Sequence, residues 1–418
     1  MLNKIKGTSI WFGLYVYWAV LLIWQNIRSV GNRGGTDVLI KAALIVVLFV
    51  FFIMCSKIVN TQNMVLILIL TLATLLPIMI NGSLEMSKLI YYLYPLFLCF
   101  CVYGIGNTNT ITKKQLTTFC NIVIATVWYI VLYAIIFCTD QFVGAFSLST
   151  AYGNELSSFL PSNYEYGLYL TFGIMLSVVC MEINKPSAGI KLFYIVTIIV
   201  FIANLILTFS RTCIIAFLLI VAIYIIFSKK SKAKYIFVVF ITLAILTYFL
   251  SGTVRTFVDE IVFKGNANSG RSELIELGMD LYLDANLFEQ IFGMEYGKFS
   301  ALVEYETSHS SLHNAYIQTL LTNGVKGVIF VLAILITSIV TCVKTLMGHK
   351  EHGTLIVLLI GFVLSSMIFM LTTTGSLFAS SIDSYFLTVC AIIVPKYVCN
   401  AIRQGKFDST KLQETPNP

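Results

Sequence analysis

From Leu192 to Ser228 the sequence reads "LFYIVTIIVFIANLILTFSRTCIIAFLLIVAIYIIFS". One helix needs roughly 20 apolar residues to cross a bilayer core, and this run is too long for a single crossing even with tilt. Its one break is Ser210-Arg211-Thr212. An arginine at the hydrocarbon centre costs about 2.5–3.5 kcal/mol on insertion scales. Two crossing helices joined by a tight turn, with Arg211 at the membrane surface, resolve both problems. The chain must therefore be built, at least here, from membrane-crossing helices in pairs.

The rest of the chain extends the pattern. It has 418 residues, 58% hydrophobic and 11% charged, where a soluble globular chain carries about 25% charged residues. Twelve apolar segments are legible, at about 9–26, 38–56, 64–80, 89–105, 117–138, 166–182, 192–209, 212–228, 235–250, 325–343, 354–371 and 381–398. The expected fold is an all-α polytopic membrane protein. The first segment follows a short basic start without a small-residue cleavage site, so it is expected to be retained.

The net charge of +7 is topological and does not suggest a nucleic-acid partner. With both termini placed inside and the segments alternating, the inner side receives 17 of the 27 basic residues and four acids. Such a bias fixes orientation. The ten cysteines fall in or beside apolar segments, so neither a disulfide framework nor a cysteine zinc site is expected.

Two outer connections are long. Residues 139–165 are polar, aromatic and net acidic. Residues 251–313 contain "SGRSELIELGMDLYLDANLFEQIFG", with Leu274, Leu277, Leu281, Leu287, Phe288 and Ile291 at amphipathic-helix spacing. Gly293 and Gly297 then break the pattern. The expected organisation is a membrane domain over 1–250, an external loop subdomain over 251–313, further membrane segments over 314–398 and a cytoplasmic tail over 399–418.

Three outer residues stand out for chemistry. Arg211 at its turn suits a phosphate or pyrophosphate, which a guanidinium grips through two parallel hydrogen bonds; a snorkelling interfacial anchor is the plainer reading. Arg271 opens a helix, where free N–H groups favour an anion. It could equally be a solvated loop arginine. His313 is the one type of side chain here that takes a proton near neutral pH without perturbation, and Asn314 beside it could hold the imidazole or a substrate hydroxyl. His309 lies four residues before His313. The zinc-protease pattern needs Glu after the first His, and Ser310 stands there instead, so no metal is expected and His309 rims the site or is incidental. Glu273, Glu276, Asp280 and Asp284 share a helical face that reads as solvated, the other reading being a set of acceptors for sugar hydroxyls. The outer loop is net acidic, so phosphate binding must depend on aimed arginines and not on a basic field.

These stretches together resemble the O-antigen polymerase and O-antigen ligase superfamily. "LTFSRTCIIAF" is similar to its Ser-Arg turn, "GRSELIELGMDLYLDANLFEQIFGMEYGKF" to its Gly-Arg helix and glycine turn, and "LHNAYIQTLLTNGVKGVIFVL" to its His-Asn signature entering a membrane helix. In "PSNYEYGLYL", Asn163 matches an Asn common before a membrane helix. The resemblance implies a membrane-embedded glycosyltransferase without metal or cofactor in a bacterial inner membrane, both termini cytoplasmic. Its substrates would be undecaprenyl-pyrophosphate-linked glycans, its surroundings membrane lipid, and a chain-length regulator protein an expected partner. It implies His313 as catalytic base and Arg211 and Arg271 as pyrophosphate ligands, with Asn314, Asn163 and Ser210 in support. A polymerase is the leading expectation, a ligase the near alternative. A polysaccharide transporter or flippase is the third, and it would need ionisable groups at membrane depth. The segments as read carry none at their midplanes, with Lys41, Glu182, Asp383 and Lys396 near segment ends.

Overall fold

The computed structural model describes residues 110–146, 155–227, 271–294, 312–372 and 382–408, with a few isolated positions between them. The expected segments 9–26, 38–56, 64–80 and 89–105, nearly all of 235–250, and His309 lie outside the described residues. Those described are helical and contain no strand. We label the helices α1 (Lys113–Phe137), α2 (Thr139–Phe146), α3 (Asn163–Asn184), α4 (Ala188–Leu207), α5 (Arg211–Phe227), α6 (Arg271–Leu283) and α7 (Leu287–Phe292). Then follow α8 (Ala315–Gly348), α9 (Gly353–Thr372), α10 (Ile382–Thr388) and α11 (Val394–Arg403). Six of the described helical stretches are long and apolar enough to cross a membrane, and α5 is a shorter apolar helix. Each matches one of the segments read from the sequence.

The helix ends have local causes. Thr112 and Gln115 form a reciprocal capping box on α1, the Thr112 Oγ1 accepting from the Gln115 N–H and the Gln115 Oε1 from the Thr112 N–H. Ser162 caps α3 through the Glu165 N–H. Lys185 ends that helix in a left-handed conformation, and Pro186 follows, which cannot continue it. Between α10 and α11 the chain passes through a π segment, Val389–Ile393. Pro395 has no N–H to give the Ala391 carbonyl, and Ser338 Oγ of α8 supplies the missing bond at 3.0 Å.

The central helix is α3, packed by α1, α4, α5 and α9. Lipid is as apolar as a leucine side chain, so helices associate in membranes through close packing and hydrogen bonds. Both occur here. Phe172 of α3 meets Phe362, Phe369 and Phe386, the last edge-on at 5.4 Å. Tyr166 donates to Asn204 of α4 at 2.9 Å, and Trp128 of α1 donates to Thr197 of α4 at 3.1 Å.

One end of the bundle carries the basic residues Lys113, Lys114, Lys185, Lys191, Lys350, Arg403 and Lys406, as the charge pattern requires. Contacts there tie distant segments together: the Lys113 N–H donates to the Phe407 carbonyl, Tyr224 to Glu182, and Arg403 to Thr345 Oγ1 and the Thr341 carbonyl. Two boundaries differ from the sequence reading. Residues 399–403 continue α11, and Phe407 is buried, so the start of the expected tail is part of the bundle. Lys396 is half-buried, and the helix carries on past 398 to Arg403.

Candidate active site

The run from 192 to 228 folds as two helices broken at Thr208-Phe209-Ser210. Phe209 adopts φ 50, a left-handed conformation uncommon for a bulky residue. The turn is held locally. Thr208 Oγ1 donates to the Leu205 carbonyl and accepts from the Ser210 N–H, while Ser210 Oγ donates to Cys213 Sγ at 3.0 Å. Ser210 is buried and serves the turn. Arg211 is half-buried at the first residue of α5, where the helix N-terminus contributes positive potential.

The first turn of α3 lies against this turn. Asn163 Nδ2 donates to Glu155 Oε2 at 2.5 Å and to the Thr208 carbonyl at 2.9 Å. Cys213 Sγ donates to the Tyr164 carbonyl at 3.5 Å. Gly167 permits the approach, since a Cβ there would stand 2.6 Å from Cys213 Sγ.

His313 precedes α8, exposed and at φ 49. Asn314 is the N-cap of α8. Its Oδ1 accepts from the Tyr316 and Ile317 N–H groups at 3.0 and 3.1 Å, and it is buried. The Asn314 oxygen is thus committed to the helix start, and His313 is the exposed member of the pair. "AYIQTLL" forms the first turns of α8, and Gly324 then kinks the helix with φ 67 and ψ −173. The kink has a packing cause. Gly293, at φ 96, crosses it so closely that a Cβ on Gly324 would fall on the Ile291 carbonyl, and one on Gly293 on the Thr322 carbonyl. The Met294 N–H donates to the Leu321 carbonyl at 2.6 Å. Gly293 after α7 and Gly324 within α8 thus form one joint.

Arg271 is the first residue of α6. That helix packs through Gly278 on Leu312 and Ile317, the residues flanking His313 and Asn314. Seven residues of helix, about 10 Å, separate Arg271 from Gly278. Leu274, Met294, Val303, Leu312 and Leu321 share a small core, so α6 and the turn after α7 pack as one unit with the first turns of α8, and the packing break falls at Gly324. Glu273, Glu276, Asp280 and Asp284 are all exposed.

The last turn of α9 joins these parts. Helices α5 and α9 run antiparallel, with Ser365 Oγ donating to the Ala216 carbonyl and Gly361 facing Ile220. Continuing that register brings Arg211 level with Met370. At the same height Tyr316 donates to the Met367 carbonyl at 3.5 Å, and the Tyr164 and Phe369 rings meet at 5.6 Å. The starts of α3, α5 and α8 therefore converge on residues 367–370, at the end opposite the basic cluster. Asn163, Arg211 and His313 lie at this one end, and α6 packs on the start of α8 beside it.

Residues 196–332 match the family described as O-Antigen ligase. The match agrees with the superfamily resemblance of the three motifs. It runs from α4 through Arg211, Arg271 and His313 to beyond the Gly324 kink, and supports an O-antigen ligase or polymerase type of activity in general. Curated proteins give no match to the chain.

Two groups at this end carry no signal in a linear reading. Glu155 is the carboxylate bonded to Asn163. Gln318, one turn beyond Asn314, has a buried Oε1 with no hydrogen-bond donor among the described residues. A hydrophobic-pattern reading finds neither, because what each faces depends on how the helix ends pack together.

Proposed function

We propose that the chain transfers a glycan from undecaprenyl pyrophosphate to a sugar hydroxyl at the outer face of a bacterial inner membrane, and that it acts as a polymerase. The supporting observation is the convergence of the Arg211 turn, the His313 loop and the Arg271 helix at one end of the bundle, all within the matched span. The acceptor hydroxyl attacks the anomeric carbon of the donor glycan. The bond from that carbon to the pyrophosphate oxygen breaks, and the pyrophosphate leaves with its lipid. His313 takes the hydroxyl proton, which raises the nucleophilicity of a weak attacker. Arg211 and Arg271 offset the charge growing on the leaving group, in the role a divalent cation takes in other glycosyltransferases. In the polymerase reading the acceptor is a new lipid-linked repeat unit, destined for O-antigen or capsular polysaccharide. A chain-length regulator is the expected partner.

The ligase reading is favoured by the matched family, which is described as O-Antigen ligase. It differs only in acceptor, which becomes a lipid A core. Deleting the gene separates the two. Loss of a polymerase leaves single repeat units on the surface. Loss of a ligase leaves long polymer on undecaprenyl pyrophosphate and a bare lipid A core. Unchanged surface glycan in the deletion strain contradicts both.

A further inference from the structure

We propose that Glu155 and Asn163 act as one relay that positions Arg211. The proposal rests on the reading that Arg211 holds the pyrophosphate.

Asn163 Nδ2 carries two protons and uses both, one to Glu155 Oε2 and one to the Thr208 carbonyl. Each partner is only an acceptor when Glu155 is ionised, so the nitrogen must face them and the amide cannot flip without placing its oxygen against two others. The carboxylate makes the first of these bonds charge-assisted, which roughly doubles its strength over a neutral one. Glu155 thereby fixes the plane of the amide, and the amide fixes Thr208.

Thr208 closes the C-terminus of α4, where helical carbonyls lack intrahelical donors. Beside it the Leu156 N–H donates to the Leu207 carbonyl at 3.3 Å. On the far side of Arg211, Cys213 Sγ donates to the Tyr164 carbonyl. The backbone carrying Arg211 is therefore held before and after that residue, in both cases from the 155–164 segment. Such bracketing suits a turn whose Phe209 is left-handed and would otherwise relax. It also suits a guanidinium that must meet a pyrophosphate in a fixed direction, since a misplacement of about 1 Å costs on the order of a hundredfold in rate.

The relay constrains its own residues. Asp at 163 would donate to neither partner and would repel Glu155. Gln at 155 keeps an acceptor oxygen and loses only the charge.

The test is the affinity of the purified full-length protein for undecaprenyl pyrophosphate without sugar, measured by native mass spectrometry, with thermal unfolding followed in parallel. Arg211→Ala is expected to weaken binding about tenfold or more. Asn163→Ala and Glu155→Ala each lose about fivefold to tenfold, the double variant loses no more than Asn163→Ala alone, and Glu155→Gln loses less than Glu155→Ala. In the Arg211→Ala background Asn163→Ala and Glu155→Ala change nothing further, because a residue that acts through Arg211 has nothing left to position. An equal fold loss in both backgrounds overturns the relay and leaves the pyrophosphate reading standing. Unchanged binding by Arg211→Ala overturns that reading and the relay with it. Glu155 is half-buried and lies outside the helices, and its conservative variant Glu155→Gln decides the matter even where Asn163 variants do not fold.

Discussion

At the residue scale, the site depends on side chains that have been divided between structure and chemistry. Asn314 and His313 are neighbours with opposite fates. The Asn314 oxygen satisfies two N–H groups of α8, while His313 stays exposed in a left-handed conformation. Asn314→Asp keeps the cap and is expected to retain stability. Asn314→Ala is expected to cost about 1 kcal/mol, read as a lowered thermal midpoint in detergent. Equal midpoints for Asn314→Ala and the unsubstituted protein would refute the capping role. The sequence made His313 and Arg211 visible because both residue types are rare against an apolar background. It hid Glu155, which sits in a polar loop where another carboxylate attracts no notice.

At the element scale, the joint between Gly293 and Gly324 marks where the small core around α6 gives way to the main bundle. Both glycines carry positive φ, and each faces the backbone of the other's segment. Gly324→Ala therefore meets strain and a backbone clash at once. It is expected to destabilise by at least about 1–3 kcal/mol and to reduce the level of folded protein in membranes, whereas Gly348→Ala, at the open end of the same helix, has little effect. Comparable losses for the two variants would contradict the joint. The facing of α8 and α11 is open to a direct check. Cys342 and Cys399 approach to 3.8 Å between sulfurs, so a variant retaining only these two cysteines is expected to cross-link within one chain on mild oxidation. Failure to cross-link would show that the two helices face differently. Turn signals such as Asn323-Gly324 were readable in the sequence, because glycine after a helical run has few other uses. The continuous helix on both sides of the kink was not, because whether a glycine ends a helix or bends it depends on what packs against it.

At the scale of the whole molecule, the alternation of segments and the charge bias agree with the sorting of helix ends. The Lys-rich end gathers the start of α1, the end of α3 and the end of α8, and the opposite end gathers Asn163, Arg211 and His313. The fold class was legible because bilayer thickness imposes one length scale on every crossing helix. The site was legible only as separate residues. Its assembly at the last turn of α9 depends on antiparallel registers, such as Ser365 against Ala216, that no linear pattern encodes. Sidedness is accessible to labelling. Asp140→Cys and Ser187→Cys place thiols at exposed positions on opposite ends. A membrane-impermeant maleimide is expected to label the first in intact spheroplasts and the second only after permeabilisation. The reverse pattern would invert the proposed topology and remove the site from the outer face.

The central claim is that His313 takes the proton from the attacking sugar hydroxyl. Its most direct measurement is surface-glycan length on a gel for a deletion strain that carries either the unsubstituted gene or His313→Ala at equal membrane levels. The expected result is full-length polymer with the first and single repeat units with the second, a loss on the order of 10²–10⁴ in rate for a missing general base. Full-length polymer in the His313→Ala strain would contradict the assignment of the base.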